Sequence, residues 1–251
     1  MSPSPAQFAI PKVSLAVKVI LALSCAIFLL QLTTETFLHF SLAPYLGFVP
    51  ARIMNGWIWQ PFTYAFLHAG LFHLMFNLLI LWSVGSELEN LWNTPTFLGF
   101  FFTCTVGAAI TQGIFSLCGI GPGLDFPVVG SSGAVYGLLM AYGILFGDRL
   151  MYFFMLFPMP AKYFVMILGA VELISSVFYG RDGVAHLAHL GGMFFGFLFL
   201  VAMATWRRRI KSEFLGAWQK KERKKRIKKA GHLKLVAGSE EEDDDKPQHW
   251  N

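Results

Sequence analysis

The chain has 251 residues, 55% of them apolar, 16% aromatic and only 14% charged. A water-soluble domain carries about 25% charged residues, so this composition excludes an ordinary soluble domain and points to a membrane protein. The net charge of +5 is not a property of the whole chain, because 13 of its 20 Lys and Arg fall between Arg207 and Lys234.

Taken in chain order, six apolar stretches are long enough to cross about 30 Å of hydrocarbon. They run Val13 to Leu32, Phe66 to Gly85, Thr96 to Leu117, Pro127 to Gly147, Tyr163 to Tyr179 and Val184 to Thr205. The expected organisation is a short cytoplasmic segment over 1–12, an all-α membrane domain of six transmembrane helices over 13–205, and a basic then acidic cytoplasmic tail over 206–251, partly disordered. The first connector holds Pro44, Pro50, Pro61 and Arg52 with Trp57 and Trp59, whose amphipathic rings suit a membrane interface. Met151 to Pro160 is apolar but proline-broken, and reads as a partly embedded loop. The fifth stretch is short and carries Glu172, which reads as pairing with a polar group on a neighbouring helix.

Six crossings place both termini on one side, and the basic run after the last stretch places that side in the cytoplasm. The same position favours anionic lipid headgroups over nucleic acid as the partner of that run. Lys12, Arg149 and Lys162 then fall inside, with Arg52 and Arg181 outside. The expected setting is the inner (plasma) membrane of a prokaryote, since no transit peptide precedes the first stretch. Cys25, Cys104 and Cys118 show no disulfide framework and read as apolar packing. No metal or organic cofactor is expected, because no cluster has ligand spacing.

In this orientation the second, fourth and sixth stretches enter from the outer face and carry polar groups at one level. His73 lies about seven residues into the second, and Ser132 and His189 about five into the fourth and sixth, roughly 8–11 Å deep at 1.5 Å per residue. Gly133 and Gly137, and again Gly192 and Gly196, are four apart, which lets two membrane helices approach closely. Such an approach brings Ser132 and His189 within hydrogen-bonding reach. A serine hydroxyl becomes a nucleophile only when a base takes its proton, and His189 is that base and later the acid. Neither stretch contains Asp or Glu, so the pair reads as a dyad, with Tyr136 packing against the His189 ring to hold it. His186 is a rival base that reads instead as tuning or hydrating the site. His73 and Asn77, four apart on one helix face, read with the Ser132 backbone N–H as donors to an oxyanion. One such donor lowers the barrier by about 3 kcal/mol.

Three patterns then stand together: His68-x4-His73-x3-Asn77, Gly130-x-Ser132-Gly133-x3-Gly137, and Ala188-His189-x2-Gly192-x3-Gly196. In this order they resemble the rhomboid family of intramembrane serine proteases. The resemblance implies a six-helix bundle with Ser132 as nucleophile, His189 as general base, His73 and Asn77 as oxyanion donors and Tyr136 against the base. His68, Gly130, Gly133, Gly192 and Gly196 support them. The activity implied is that of a hydrolase, a serine endopeptidase acting through an acyl-enzyme on transmembrane protein substrates near the outer membrane face, with small residues at the cleavage position. Glu89 matches a structural glutamate of the family, whereas Trp59-Gln60 departs from the usual Trp-Arg of its first outer loop. Two other readings stand beside this one: a catalytically inactive rhomboid-like binding protein, which would need neither Ser132 nor His189, and a membrane transporter, which would more naturally show an internal repeat. The sequence identifies neither the substrate nor the oligomeric state.

Overall fold

A computed structural model of the chain describes residues 12–121, 123–153, 157–178 and 184–238. The expected N-terminal segment up to Pro11, Tyr179, Arg181 and the acidic run Glu240 to Asp245 lie outside the described residues.

The long elements follow the apolar stretches. Helix α1 (Leu15–Phe37) leads through three short helices, α2 (Ala43–Leu46), α3 (Pro50–Ile53) and α4 (Gln60–Thr63), to α5 (Leu71–Ile80). A π-helical segment, Leu81–Gly85, joins α5 to α6 (Ser86–Trp92). Then follow α7 (Thr94–Leu117), α8 (Ser132–Leu145), strands β1 (Leu150–Phe153) and β2 (Phe157–Pro160), α9 (Ala161–Phe178) and α10 (His186–Gly238). Five helical stretches among the described residues are long and apolar enough to cross a membrane: Leu15–Phe37, Leu71–Trp92, Thr94–Leu117, Ala161–Phe178 and His186–Arg209. The protein is therefore an integral membrane protein, and mostly helical.

The expected fourth crossing differs. Helix α8 has 14 residues, about 21 Å at 1.5 Å per residue, short of the roughly 30 Å of hydrocarbon. Pro127 to Ser131, expected to be helical, are not. Val128 and Phe48 exchange two backbone hydrogen bonds of 2.9 Å, and the Gly130 N–H donates to the Tyr64 carbonyl at 2.9 Å. Gly130 sits at φ 118°, a backbone state open to glycine and strained for other residues. These ties end the extended segment at Ser131 and start the helix at Ser132.

The second crossing runs past its expected end at Gly85, because the π-helical segment carries the helix through to Trp92 before it breaks. Asn93 at φ 75° stops it, and the Asn93 side chain accepts the Thr96 N–H at 3.1 Å as the cap of α7, with Pro95 in the first turn. Glu89 lies buried in α6. It accepts the Ala16 and Val17 N–H groups at 2.9 and 3.0 Å and the Ser14 and Thr94 hydroxyls at 2.5 and 2.6 Å. One carboxylate thus satisfies open N–H groups at the start of α1 and binds that start to α7.

In the loop before α5, Gln60 is fully buried. Its amide accepts the Val49 N–H at 3.1 Å and donates to the Pro44 and Tyr45 carbonyls at 3.1 and 3.4 Å. Arg52 covers the Trp57 ring at 4.6 Å and also donates to the Pro44 carbonyl. The departure from Trp-Arg is met by a glutamine that knits the loop backbone, with a nearby arginine bound to the same carbonyl. Where a loop is expected over Met151 to Pro160, Leu150–Phe153 and Phe157–Pro160 pair instead as an antiparallel ribbon, Leu150 opposite Pro160 and Phe153 opposite Phe157. Pairing satisfies backbone groups that an open loop near a membrane would leave bare.

The chain divides into two compact units, Met1–Leu200 and Val201–Asn251. The first contains every residue of the site below. The second is helical to Gly238, the last of its described residues, with exposed Arg209–Glu213 and Lys225–Glu222 pairs at 3.2 and 3.0 Å. Such pairs contribute a few tenths of a kcal/mol each.

Candidate active site

Four glycines bring α8 and the first turns of α10 together. A Cβ on Gly192 would overlap the Gly133 carbonyl oxygen, one on Gly137 would fall 2.9 Å from the Gly192 oxygen, and one on Gly196 would lie 3.2 Å from the Gly137 Cα. The two backbones touch with no side chain between them. That approach sets Ser132 Oγ 2.7 Å from His189 Nε2. His186, one turn earlier, turns elsewhere: its Nδ1 lies 2.7 Å from Glu172 Oε2.

The His189 ring is held on its face and its edge. Tyr136 stacks on it in parallel, with ring centroids 4.3 Å apart and planes 6° from coplanar. On the edge, His189 Nδ1 lies 3.0 Å from Glu172 Oε2, although the pair is not aligned as a hydrogen bond and Nδ1 has no other partner. The Tyr136 hydroxyl donates to Glu172 Oε1. An acid does therefore stand beside the histidine. It comes from α9, a different helix from the two that carry Ser132 and His189. Its signal in the sequence was a lone glutamate in a short apolar stretch.

Ser132, His189, His73, Asn77 and Tyr136 all line one cavity of about 680 Å³, walled by apolar side chains such as Phe76, Leu139 and Leu168. His73 Nδ1 accepts the Ala69 N–H at 3.4 Å, which assigns the ring hydrogen to Nε2. That edge faces the loop before Ser132, since a Cβ on Gly130 would fall 2.8 Å from His73 Nε2. Asn77 donates to the His73 carbonyl at 2.8 Å. His68 does not line the cavity. It is buried, edge-on to His73 at 5.3 Å, and its backbone is bracketed by Gln31, which accepts the His68 N–H at 3.0 Å and donates to its carbonyl at 3.3 Å. Gln31, a polar residue in the first apolar stretch, was not singled out from the sequence.

His73, Ser132 and His189 are the third, first and fourth residues of α5, α8 and α10, rather than five to seven residues into helices. The apolar stretches begin before the helices do, because Gly70 (φ 174°) is extended and residues 127–131 and 184–185 are not helical. A first-turn position leaves the Ser132 N–H without an intrahelical acceptor.

Glu172, His186 and His189 present ligand atoms within 4.8 Å of one another, a cluster that spacing along the sequence concealed. Bonds of 2.0–2.1 Å to a tetrahedral metal would hold ligand atoms about 3.3 Å apart, so the 2.7 Å His186–Glu172 contact has the length of a hydrogen bond.

Membrane-spanning helices that enclose a serine hydrogen-bonded to a histidine define a multi-pass membrane protein with that pair at an apolar cavity. A family model, the Rhomboid domain, matches residues 55–206, and the chain belongs to the rhomboid family. It is 28% identical over 157 residues to the rhomboid protease GluP of Bacillus subtilis, covering 60% of this chain and 27% of that protein. It is 32% identical over 144 residues to Rhomboid protein 1, mitochondrial, of Saccharomyces cerevisiae, covering 54% and 39%. With the rhomboid protease GlpG of Yersinia pseudotuberculosis it shares 30% over 152 residues, covering 59% and 48%. The chain thus spans from 27% to 48% of the length of these relatives. The family so matched includes proteins named as proteases, which supports intramembrane proteolysis at the level of the family.

Proposed function

We propose that this protein is an intramembrane serine endopeptidase that cleaves transmembrane protein substrates near the outer membrane face, with Ser132 as nucleophile and His189 as its base. The observation that carries the reading is the 2.7 Å contact between Ser132 Oγ and His189 Nε2 inside the apolar cavity. In the first step Oγ attacks the scissile carbonyl carbon while its proton passes to Nε2. The carbonyl oxygen takes the negative charge, and the proposed donors to it are His73 Nε2–H, the second amide hydrogen of Asn77 and the Ser132 N–H at the start of α8. Backbone N–H groups at a helix start favour an anion, and each such donor acts on the barrier because it meets charge that exists only after attack. Collapse breaks the C–N bond, and His189 returns its proton to the leaving amine, which gives the acyl-enzyme. Water, deprotonated by His189, then attacks the ester carbonyl, and Ser132 leaves with the proton. A substrate helix has its carbonyls bonded along its own axis, so it must unwind locally before one can enter the cavity. With α8 as a short sixth crossing and the basic run in the later part of α10 on the cytoplasmic side, both termini are cytoplasmic and the cavity opens toward the outer leaflet.

The test is labelling of the detergent-solubilised full chain with a fluorophosphonate probe, comparing the native protein with Ser132→Ala and His189→Ala. Labelling of the native chain alone is expected. No labelling of folded native protein would overturn the reading in favour of an inactive binding protein.

A further inference from the structure

Glu172 is 6% exposed on a helix whose large side chains, among them Met166, Leu173, Ile174 and Val177, are mostly exposed. A carboxylate inside a membrane protein is costly unless its oxygens are matched. Here both are: Oε1 accepts the Tyr136 hydroxyl, and Oε2 lies between two imidazoles, 2.7 Å from His186 Nδ1 and 3.0 Å from His189 Nδ1. Tyr136 therefore fixes the His189 ring by its face and the carboxylate by its hydroxyl.

We propose that Glu172 is the positioning residue of His189, completing a Ser132–His189–Glu172 relay; this rests on the protease reading above. A neutral imidazole carries one hydrogen, and the nitrogen without it is the acceptor. A carboxylate beside Nδ1 holds the hydrogen there and leaves the Nε2 lone pair directed at Ser132 Oγ. When the Ser132 proton moves to Nε2 the ring becomes a cation, and the carboxylate at its other edge stabilises that cation. Glu172 itself takes no proton, which travels from Oγ to Nε2 and on to the leaving amine. The cation exists only after attack has begun, so Glu172 acts on the rate of the chemical step and not on binding. The free enzyme shows the Nδ1–Oε2 pair close but unaligned, as with many catalytic hydrogen bonds before substrate arrives. His186 holds the same oxygen ready.

The experiment follows the kinetics of fluorophosphonate labelling of the full-length solubilised protein, separating the maximal labelling rate from the half-saturating probe concentration. Glu172→Gln, which keeps the shape but not the charge, is expected to lower the maximal rate about 100- to 10,000-fold with half-saturation unchanged. Glu172→Asp, which keeps the charge, recovers most of that loss. An unchanged maximal rate, a change confined to half-saturation, or equal losses in Gln and Asp would overturn the proposal. If Glu172→Gln does not fold, Tyr136→Phe replaces it, removing the hydroxyl that anchors Oε1 while keeping the ring on His189. Slower labelling at unchanged half-saturation then supports the relay, and native-like labelling overturns it. Labelling of the native chain separates the two readings: without it the protease assignment fails, whereas equal labelling of native protein and Glu172→Gln sinks the relay alone.

Discussion

Helices α8 and α9 follow one another in the chain and are both apolar, yet they are built on opposite terms. In α8, eight of 14 residues are buried, from Gly133 to Tyr142, and the small ones let neighbouring backbones touch. In α9 only Ala161, Val165 and Glu172 of 18 residues are buried, and most of its other large apolar side chains are exposed, with Phe164 and Leu168 lining the cavity. The difference shows two ways of placing a polar group in a membrane protein. Ser132 takes its position from close-packed backbone, whereas Glu172 is delivered by a loosely enclosed helix and held by the groups it meets. Packing accounts for the first; only hydrogen bonding and charge account for the second.

The comparison breaks first at its tightest point. Gly192→Val should abolish fluorophosphonate labelling and lower the melting temperature, because the added carbons must displace the Gly133 carbonyl and with it Ser132. Labelling retained in that variant would show that contact between α8 and α10 does not set the pair. Asn77→Ala should slow labelling about 100-fold, about 3 kcal/mol of barrier, if its amide meets the developing charge; a native rate would remove it from the site. Leu138→Ala, in the enclosed part of α8, should destabilise the protein by about 2–5 kcal/mol in denaturant titrations. Leu173→Ala, on the exposed face of α9, should change stability by less than about 0.5 kcal/mol. Equal losses from the two leucine variants would erase the contrast between the helices.

Much of the site was legible because its relations are local. Four-residue spacing puts His73 and Asn77 on one face of α5, and Gly133 with Gly137 on one face of α8, whatever surrounds them. The glycine pairs also foretold a backbone contact, since nothing else in the sequence keeps side chains away from those faces. Helix starts were less legible. Hydropathy reads Pro127 to Ser131 as part of an apolar helix, but the bonds of Val128 to Phe48 and Gly130 to Tyr64 hold them extended, and those partners lie far back in the chain.

By itself, then, the sequence determined that the chain enters a membrane, which residues are candidates for the chemistry, and which helix faces are bare enough to meet. Hydropathy and helical periodicity are properties of neighbouring residues, so they survive without knowledge of the fold. Only the tertiary structure decided that Ser132 opens α8, that Gln60 knits the first loop, and that Glu172 meets His189. Each of these depends on contacts between segments whose separation along the chain carries no signal of their meeting. A buried carboxylate finds its partners through geometry, and geometry of that kind exists only once the helices have packed.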